Sequence, residues 1–213
     1  MLEKWLTRMT ERSKSPEHYF AAHPRSEARL GIIRTYLRGK SFEFLTASSV
    51  FSKKRVDLGT RLLIESMILP EKGCVLDVGC GYGAVGIAAA SSNSNLRVIL
   101  VDVNVRAVWL AKQNIELNHL SNAEARCGHL YEPVEELTFN CILSNPPVSA
   151  GIETVKAMII EAPKLMANEA SLQMVVKSKV GGRRLQLIFQ ETFGNIEVLS
   201  RKSGYRVLMA EKH

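Results

Sequence analysis

Residues 75–86 read VLDVGCGYGAVG, an apolar run that ends in an acid and continues with glycines at positions 79, 81 and 83. A buried strand from Cys74 to Asp77 must turn sharply here into a helix that begins at Ala84. Glycine combines the φ values that such a turn requires with room for a ligand against bare backbone. The segment therefore predicts a strand, turn and helix that bind a nucleoside-bearing cofactor.

The glycine turn is also compatible with other interpretations. Gly81, Gly83 and Gly86 satisfy the G-x-G-x-x-G fingerprint of dinucleotide sites, and Asp102 follows at roughly the 20-residue offset expected there. A nicotinamide-dependent oxidoreductase could use the same turn, and a tight turn without a ligand remains open. Asp102 would accept ribose hydroxyls or cap the next helix.

Strand and helix patterns alternate along most of the chain. Such alternation, with continuous apolar strands, predicts an α/β fold with a mostly parallel, Rossmann-like sheet covered by helices on both faces. The expected strands are 74–77, 97–103, 123–127, 140–144 and 172–176. The expected helices are 84–91, 105–118, 152–166 and a C-terminal one with Leu185, Ile188, Phe189 and Phe193 inward. Pro163 should kink or divide the third helix.

The two ends of the chain carry additional elements. Strands 196–200 and 205–210 are joined too tightly for a parallel crossover, so they should form an antiparallel hairpin. Residues 1–47 are expected to form an extension, with a short helix carrying Leu2, Trp5, Leu6 and Met9 and a β-hairpin over about 28–36 and 41–46. The main domain is then 48–213, opening with a helix over about 57–68 that Pro70 stops.

Composition narrows the class of protein. The chain has 213 residues, of which 46% are hydrophobic, which suffices for one proper core. A net charge of +7 favours a polyanionic partner such as RNA or DNA. The four cysteines lack metal-ligand spacing, so we expect free buried thiols and no metal site. Without a secretion signal or an apolar stretch approaching ~20 residues, we expect a soluble, cytoplasmic protein that does not enter membranes.

Asn145-Pro146-Pro147 follows the strand at 140–144, at the sheet edge where open α/β folds place ligands. An exocyclic amine on a base is a poor nucleophile until hydrogen bonds from its N–H groups hold it nearer tetrahedral. Asn145 Oδ1 and the Pro146 carbonyl can accept those two bonds, and the prolines fix the chain so that the carbonyl points outward. A proline turn that merely ends the strand is the alternative.

From about residue 48 to the C-terminus the sequence resembles the class I S-adenosylmethionine-dependent methyltransferases. More narrowly, the glycine turn, Asn-Pro-Pro and the stretch with Val50-Phe51-Ser52, Asp57 and Gly59-Thr60 look like the methyltransferase small domain of guanine N2-methyltransferases acting on small-subunit ribosomal RNA. His18-Tyr19-Phe20 and the N-terminal hairpin look like the extension of single-domain members.

The resemblance implies S-adenosyl-L-methionine as cofactor and assigns residues to it. Asp77 would hold its ammonium group, Asp102 its ribose, and Val103 or Asn104 would flank the adenine. His129 stands where relatives often carry an acid for the adenine edge. The full set of expected cofactor residues is Asp77, Gly79, Cys80, Gly81, Gly83, Asp102, Val103, His129, Leu130 and Asn145.

The same resemblance implies a nucleobase acceptor gripped by Asn145, Pro146 and Pro147. Val148 stands where nitrogen methyltransferases commonly carry an aromatic ring, and the ring of Phe51, Tyr19 or Phe20 is expected to compensate. Lys53 and Arg55 belong to a basic cluster suited to phosphates. We therefore expect methylation of guanine N2 in ribosomal RNA, with transfer RNA next.

Other acceptors use the same motif. Glutamine methylation on a translation factor is the main alternative, because release-factor methyltransferases also hold a carboxamide nitrogen with Asn-Pro-Pro. DNA adenine methylation and a non-catalytic RNA-binding module stay open, and the sequence leaves the oligomeric state undecided.

Overall fold

The computed structural model describes residues 29–48, 50, 55–146, 151–178 and 182–213. Its first elements form an antiparallel hairpin of β1 (Leu30–Leu37) and β2 (Lys40–Ala47). Arg38 and Gly39 turn the chain with positive φ values of 49° and 78°. The predicted hairpin is confirmed, with ends shifted by one or two residues; the short helix predicted nearer the N-terminus lies outside the described residues.

The body that follows has the expected alternation of helices and strands. Its helices are α1 (Leu58–Ser66), α2 (Ala84–Ser92), α3 (Val105–Leu117), α4 (Ile152–Glu161) and α5 (Gly182–Phe193). Its strands are β3 (Gly73–Val78), β4 (Leu96–Asp102), β5 (Ala123–Cys127), β6 (Phe139–Ser144), β7 (Met166–Lys177), β8 (Glu197–Lys202) and β9 (Tyr205–Glu211). Asp57 caps α1, whose last residue is two short of the predicted end.

The body strands form one seven-stranded sheet in the order β5-β4-β3-β6-β7-β9-β8. β9 runs antiparallel to β7 and β8, and the other neighbours pair in parallel. The predicted α/β fold with an antiparallel C-terminal hairpin is therefore confirmed. Because the carboxyl ends of β3, β4 and β6 meet at one edge, the segments that follow these strands come together there.

The helix predicted over 152–166 is too long. α4 ends at Glu161, a single 3-10 turn covers Ala162–Lys164, and Met166 already belongs to β7, where it pairs with Phe139. Pro163 has no N–H to continue the helical hydrogen bonds, so it ends the helix rather than kinking it. β7 consequently begins at Met166 and not at Leu172.

Apolar side chains cover both faces of the sheet. Val75 and Cys141 face the layer built by α1, α2, α3 and the N-terminal hairpin, whereas Leu76 and Ile142 face the layer of α4 and α5. Strands buried on both faces explain the continuous apolar runs of the sequence. The hairpin shares a core with the body, and the division of the chain at residue 47 stays a prediction.

Two asparagines of α3 fasten the hairpin to this body. Asn114 donates to the Leu45 carbonyl at 2.9 Å and accepts from the Leu45 N–H at 2.6 Å. Asn118 makes the same pair of bonds with Glu43, at 2.8 and 3.3 Å. Four helical residues rise about as far as two strand residues, so both amides match the backbone spacing of β2.

The expectation of four free, buried cysteine thiols is confirmed in part. All four are free thiols, but only Cys141 is buried; Cys74 and Cys80 are half-buried and Cys127 is exposed. Cys127 ends β5, an edge strand with one neighbour, which is why the expectation of burial is wrong there. Burial raises the pKa of the Cys141 thiol to about 12.

Candidate active site at the carboxyl edge of the sheet

The turn after β3 has the backbone that its glycines predict. Gly79, Gly81 and Gly83 have φ values of 71°, 57° and 94°, in the left-handed region that favours glycine. The Gly79 and Cys80 N–H groups donate to the Val101 carbonyl at 2.8 and 3.0 Å. The turn is therefore held against the end of β4.

The glycines of this segment serve different purposes. A Cβ at Gly81 would meet no atom within 4 Å, and one at Gly79 only Met158 Cε at 3.9 Å, so both lie against open space. A Cβ at Gly86 would come within 2.6 Å of Leu100 Cγ. Gly83 resembles Gly86, since its Cβ would lie 3.0 Å from Leu100 Cδ2. The structure thus places Gly83 in the packing of α2 on β4, outside the cavity lining predicted for it.

A cavity of about 330 Å³ opens beside Gly79 and Gly81, and we call it the glycine-turn cavity. It is lined by nine of the ten predicted cofactor residues, Gly83 being the exception. These are Asp77, Gly79, Cys80, Gly81, Asp102, Val103, His129, Leu130 and Asn145. Val50, Thr60, Thr154 and Met158 are among the further lining residues that sequence reasoning did not single out for this role.

Asp77 is the most perturbed acid of this cavity. It is 1% exposed, and its Oδ2 accepts one hydrogen bond, of 2.8 Å, from the Gly86 N–H. Burial, with a contribution from the charge of Asp102, raises the pKa of Asp77 to about 7 although the Gly86 bond opposes the shift. A buried carboxylate with so little compensation favours a cationic ligand.

Asp102 connects the glycine turn with the next strand. Its Oδ2 accepts from the Gly81 N–H and its Oδ1 from the Asn104 N–H, both at 2.8 Å. Burial raises the pKa of this carboxyl as well. The N-cap of α3 is Asn104, which accepts from the Arg106 and Ala107 N–H groups. Asp102 therefore has lone pairs left for hydroxyl donors.

His129 and Leu130 line the cavity from the loop after β5. The side chain of His129 is 58% exposed, and its Nδ1 lies 3.9 Å from Glu132 Oε1. Leu130 has a φ of 49°, which turns the chain at this point. These residues form a rim in contact with solvent, unlike Asp77 on the cavity floor.

Asn145 follows β6 and is held by the start of α1. Its Nδ2 donates to Thr60 Oγ1 at 2.8 Å and lies 3.4 Å from Asp57 Oδ2. The sequence carries a signal for this arrangement, because an acid at an N-cap with threonine three residues on is a helix start. The contact to Asn145 could not be read from it, since 85 residues separate Thr60 from Asn145.

A second cavity, of about 280 Å³, lies on the other side of Asn145 and is called the Tyr205 cavity. Asn145 lines both cavities. The Tyr205 cavity is lined by Asn145, Pro146, Gly151, Ile152, Val155, Val175, Val176, Lys177, Arg184, Leu185 and Tyr205. Lys177 Nζ lies 5.6 Å from the centroid of the Tyr205 ring. Its walls are thus apolar and aromatic, with two cationic side chains.

The remaining predicted residues divide into two groups. Pro147, Val148, Phe51 and Lys53 lie outside the described residues. Arg55 is described, but it is exposed and lines neither cavity. Its part in substrate binding stays a prediction.

S-adenosyl-L-methionine fits the glycine-turn cavity. Asp77 offers a buried carboxylate, with no cationic partner in the described part of the chain, for the ammonium group of the cofactor, and Asp102 offers acceptors for the ribose hydroxyls. Gly79 and Gly81 leave open the space that a Cβ would fill. Among the described residues, no three His, Cys, Asp or Glu side chains could hold a metal ion together. Within the same part of the chain, no helix is long and apolar enough to cross a membrane.

This sheet, with a cofactor cavity at the glycine turn after its first parallel strand, is that of a class I S-adenosyl-L-methionine-dependent methyltransferase. The model of the methyltransferase small domain matches residues 41–209. The chain belongs to that family, and it is therefore an enzyme that uses S-adenosyl-L-methionine.

Similar proteins include one that the match covers almost completely and others of which it covers about half. The chain is 37% identical to the Bacillus subtilis (strain 168) protein YbxB, described as uncharacterized, over 92% of this chain and 98% of that protein. It is 32% identical to ribosomal RNA small subunit methyltransferase C of Hamiltonella defensa over 80% of this chain and 51% of that protein.

A solved structure is similar as well. The T. Thermophilus 16S rRNA N2 G1207 methyltransferase (RsmC), in complex with AdoMet and guanosine, superposes with a TM-score of 0.79 at 26% identity, covering 89% of this chain and 52% of that one. The chain thus spans about half the length of the ribosomal RNA methyltransferases that it resembles.

Proposed function

We propose that this enzyme methylates the exocyclic amino group N2 of a guanine in RNA, with ribosomal RNA as the first substrate and transfer RNA as the next. The observation that carries the proposal is that Asn145 lines both cavities. A side chain shared by a cofactor cavity and an adjoining cavity can contact the acceptor nitrogen where the methyl group arrives.

The residues of the glycine-turn cavity would bind and orient the cofactor. Asp77 would pair with its ammonium group, and Asp102 would accept its ribose hydroxyls. When bound, S-adenosyl-L-methionine supplies an electrophilic methyl group whose bond to sulfur breaks, leaving the electron pair on sulfur, as the acceptor nitrogen forms its new bond. The buried position of Asp77 makes its charge more effective than that of a carboxylate in water.

Asn145 would act on the acceptor by positioning and electrostatics. Its Oδ1 and the Pro146 carbonyl would accept hydrogen bonds from the two N–H groups of the amine, directing the nitrogen lone pair towards the methyl group. Once methylated, the nitrogen is positively charged and releases one proton to solvent. A strong general base is therefore unnecessary.

The Tyr205 cavity supports a nucleobase as acceptor. Ile152, Val155 and Tyr205 offer apolar and aromatic surface to a flat ring, and Lys177 and Arg184 offer cations to the flanking phosphates. Arg184 also lies 3.6 Å from Glu153, an exposed pair that RNA phosphates can displace. The charge of +7 on the whole chain supports the same class of substrate.

The similarity to enzymes named for ribosomal RNA methylation favours that substrate over others. A carboxamide on a protein could use the same Asn145 contacts, so the test must include protein acceptors. In that case Lys177 and Arg184 would have no phosphates to bind.

The test is transfer of tritiated methyl groups to material from a strain that lacks this gene. Small ribosomal subunits, naked ribosomal RNA, transfer RNA and total protein are supplied separately, and labelled RNA is digested to nucleosides. We expect label in N2-methylguanosine with wild-type enzyme and none with Asn145→Ala. Labelled glutamine with unlabelled RNA would refute the proposal, as would a different labelled nucleoside.

A further inference from the structure

Three side chains from two distant segments meet beside the proposed acceptor position. The Thr60 hydroxyl donates to Asp57 Oδ2, and Asn145 Nδ2 donates to Thr60 Oγ1 at 2.8 Å. Nδ2 also lies 3.4 Å from Asp57 Oδ2. Thr60 is 6% exposed, so water competes little for these bonds.

Asp57 is itself held in place by the helix that it caps. Its Oδ1 accepts from the Gly59 N–H at 2.9 Å and from the Thr60 N–H at 3.2 Å. A carboxylate offers only acceptors, so Asp57 accepts hydrogen bonds here and does not donate them.

This chemistry fixes the direction of every bond in the cluster. Because Asp57 only accepts, the single proton of Thr60 points to Asp57, and Thr60 Oγ1 is left to accept from Asn145. The amino side of the Asn145 amide must then face α1. The Oδ1 atom of Asn145 consequently points away from Asp57 and Thr60.

The direction matters because an asparagine amide has nearly the same shape when rotated by a half-turn. In the rotated state an NH₂ group would meet the NH₂ group of the acceptor, and neither could accept a hydrogen bond. Nothing in the covalent structure of Asn145 selects the productive orientation. The neighbouring groups have to select it.

We propose that Asp57 and Thr60 are positioning residues that hold Asn145 Oδ1 towards the acceptor amine. The inference rests on the proposed function only in requiring an acceptor that bears N–H groups; it does not depend on which RNA is methylated. Asp57 sets the proton of Thr60, Thr60 sets the amide of Asn145, and Asn145 contacts the substrate.

Thr60→Val tests this with a matched control, Thr60→Ser. Valine keeps the shape of threonine but removes the hydroxyl, whereas serine keeps the hydroxyl. We expect kcat to fall about 10-fold or more in Thr60→Val, which is less than the loss expected when the oriented contact itself is removed. In Thr60→Ser, kcat should be largely retained. The dissociation constant for S-adenosylhomocysteine should stay within a few-fold of wild type in both, because the charged contacts of Asp77 and Asp102 remain. The melting temperature should fall in Thr60→Val, where two polar groups lose a partner, and should fall less in Thr60→Ser.

Asp57→Asn gives a sharper result. Its Oδ1 can still cap α1, but its NH₂ group now donates to Thr60, so the Thr60 proton turns towards Asn145. The amide of Asn145 is then driven into the rotated orientation. We expect a larger fall in kcat than in Thr60→Val, although both helix-cap bonds can persist.

A readout without any acceptor separates this inference from the proposed function. The side-chain NH₂ signals of Asn145 in a ¹⁵N–¹H spectrum, assigned by their loss in Asn145→Ala, should move in Thr60→Val and Asp57→Asn and stay in Thr60→Ser. Unmoved signals in both variants would overturn the inference. So would equal losses of kcat in Thr60→Val and Thr60→Ser. An enzyme that methylates no RNA but shows the expected shifts would overturn the proposed function alone.

Discussion

The Asp77 carboxylate is bonded to the backbone N–H of Gly86 at 2.8 Å, so one acid both caps the first turn of α2 and faces the cofactor cavity. That single bond does not offset its burial, and the pKa of Asp77 stays raised, at about 7. A cationic ligand favours the ionised form.

The first prediction concerns cofactor affinity. Because protonated Asp77 cannot pair with an ammonium group, S-adenosylhomocysteine should bind more weakly as the pH falls from 8 to 6, approaching ~10-fold per pH unit below the pKa. Isothermal titration calorimetry at several pH values measures this. Asp77→Asn should bind weakly throughout with a flatter pH profile, and an unchanged slope in that variant would contradict the role of Asp77.

The second prediction concerns stability without cofactor. A folded-state pKa of about 7, above the unfolded value near 4, means that the folded chain binds the proton more tightly. The contribution of Asp77 to the free energy of unfolding therefore declines as the pH rises from about 4 to about 7. Above pH 7 the full cost of ionising the buried carboxyl is present. Asp77→Asn should therefore raise the melting temperature more at pH 8 than at pH 5, and the opposite order in a thermal scan would contradict this.

The third prediction separates Asn145 from cofactor binding. Asn145→Ala removes an oriented contact to the acceptor, so turnover should fall at least ~10²-fold. The affinity for S-adenosylhomocysteine should stay almost intact, because Asp77 and Asp102 carry that interaction. Calorimetry measures the affinity and the methyl-transfer assay measures the turnover; a parallel loss of affinity would show that Asn145 acts mainly through the cofactor.

The fourth prediction assigns the aromatic surface that Val148 does not supply. If Tyr205 stacks on the base, Tyr205→Ala should lower kcat/KM for RNA by about 5- to 150-fold, corresponding to ~1–3 kcal/mol per base. Tyr205→Phe should stay near wild type because the ring remains. Equal defects in both variants would point to the hydroxyl and away from stacking.

The fifth prediction tests the packing of α2. A Cβ at Gly86 would lie 2.6 Å from Leu100 Cγ, so Gly86→Ala should destabilise the fold by about 1–3 kcal/mol in urea unfolding. Adding Leu100→Ala should make the alanine at 86 less costly than it is alone, because the clashing atoms are gone. Additive losses in the double variant would show that some other contact is responsible.

Much of this structure follows from patterns that are local in sequence. The glycine turn, the buried strands and the tight C-terminal hairpin can each be recognised from a few consecutive residues. The sheet and the cavity beside Gly79 and Gly81 could therefore be predicted. Gly83 could not be assigned in the same way, since glycine is required by ligands and by packing alike. Only the position of Leu100 distinguishes the two roles.

Other features depend on contacts between distant segments. In the sequence Thr60 looks like part of an ordinary helix start. Its contact with Asn145, 85 residues away, follows only from the fold. The long helix expected over 152–166 is shorter for a local reason, since Pro163, which was expected to kink or divide it, divides it into α4 and a 3-10 turn ahead of β7.

The asparagine pair on α3 has a consequence for how the protein behaves among other chains. A hairpin strand normally leaves every second peptide group unsatisfied along its outer edge, which invites a foreign strand to add there. Asn114 and Asn118 of α3 form hydrogen bonds with the backbone N–H and C=O groups of Leu45 and Glu43, as a neighbouring strand would. At these two residues a helix therefore covers the outer edge of β2, where another sheet would need a further strand.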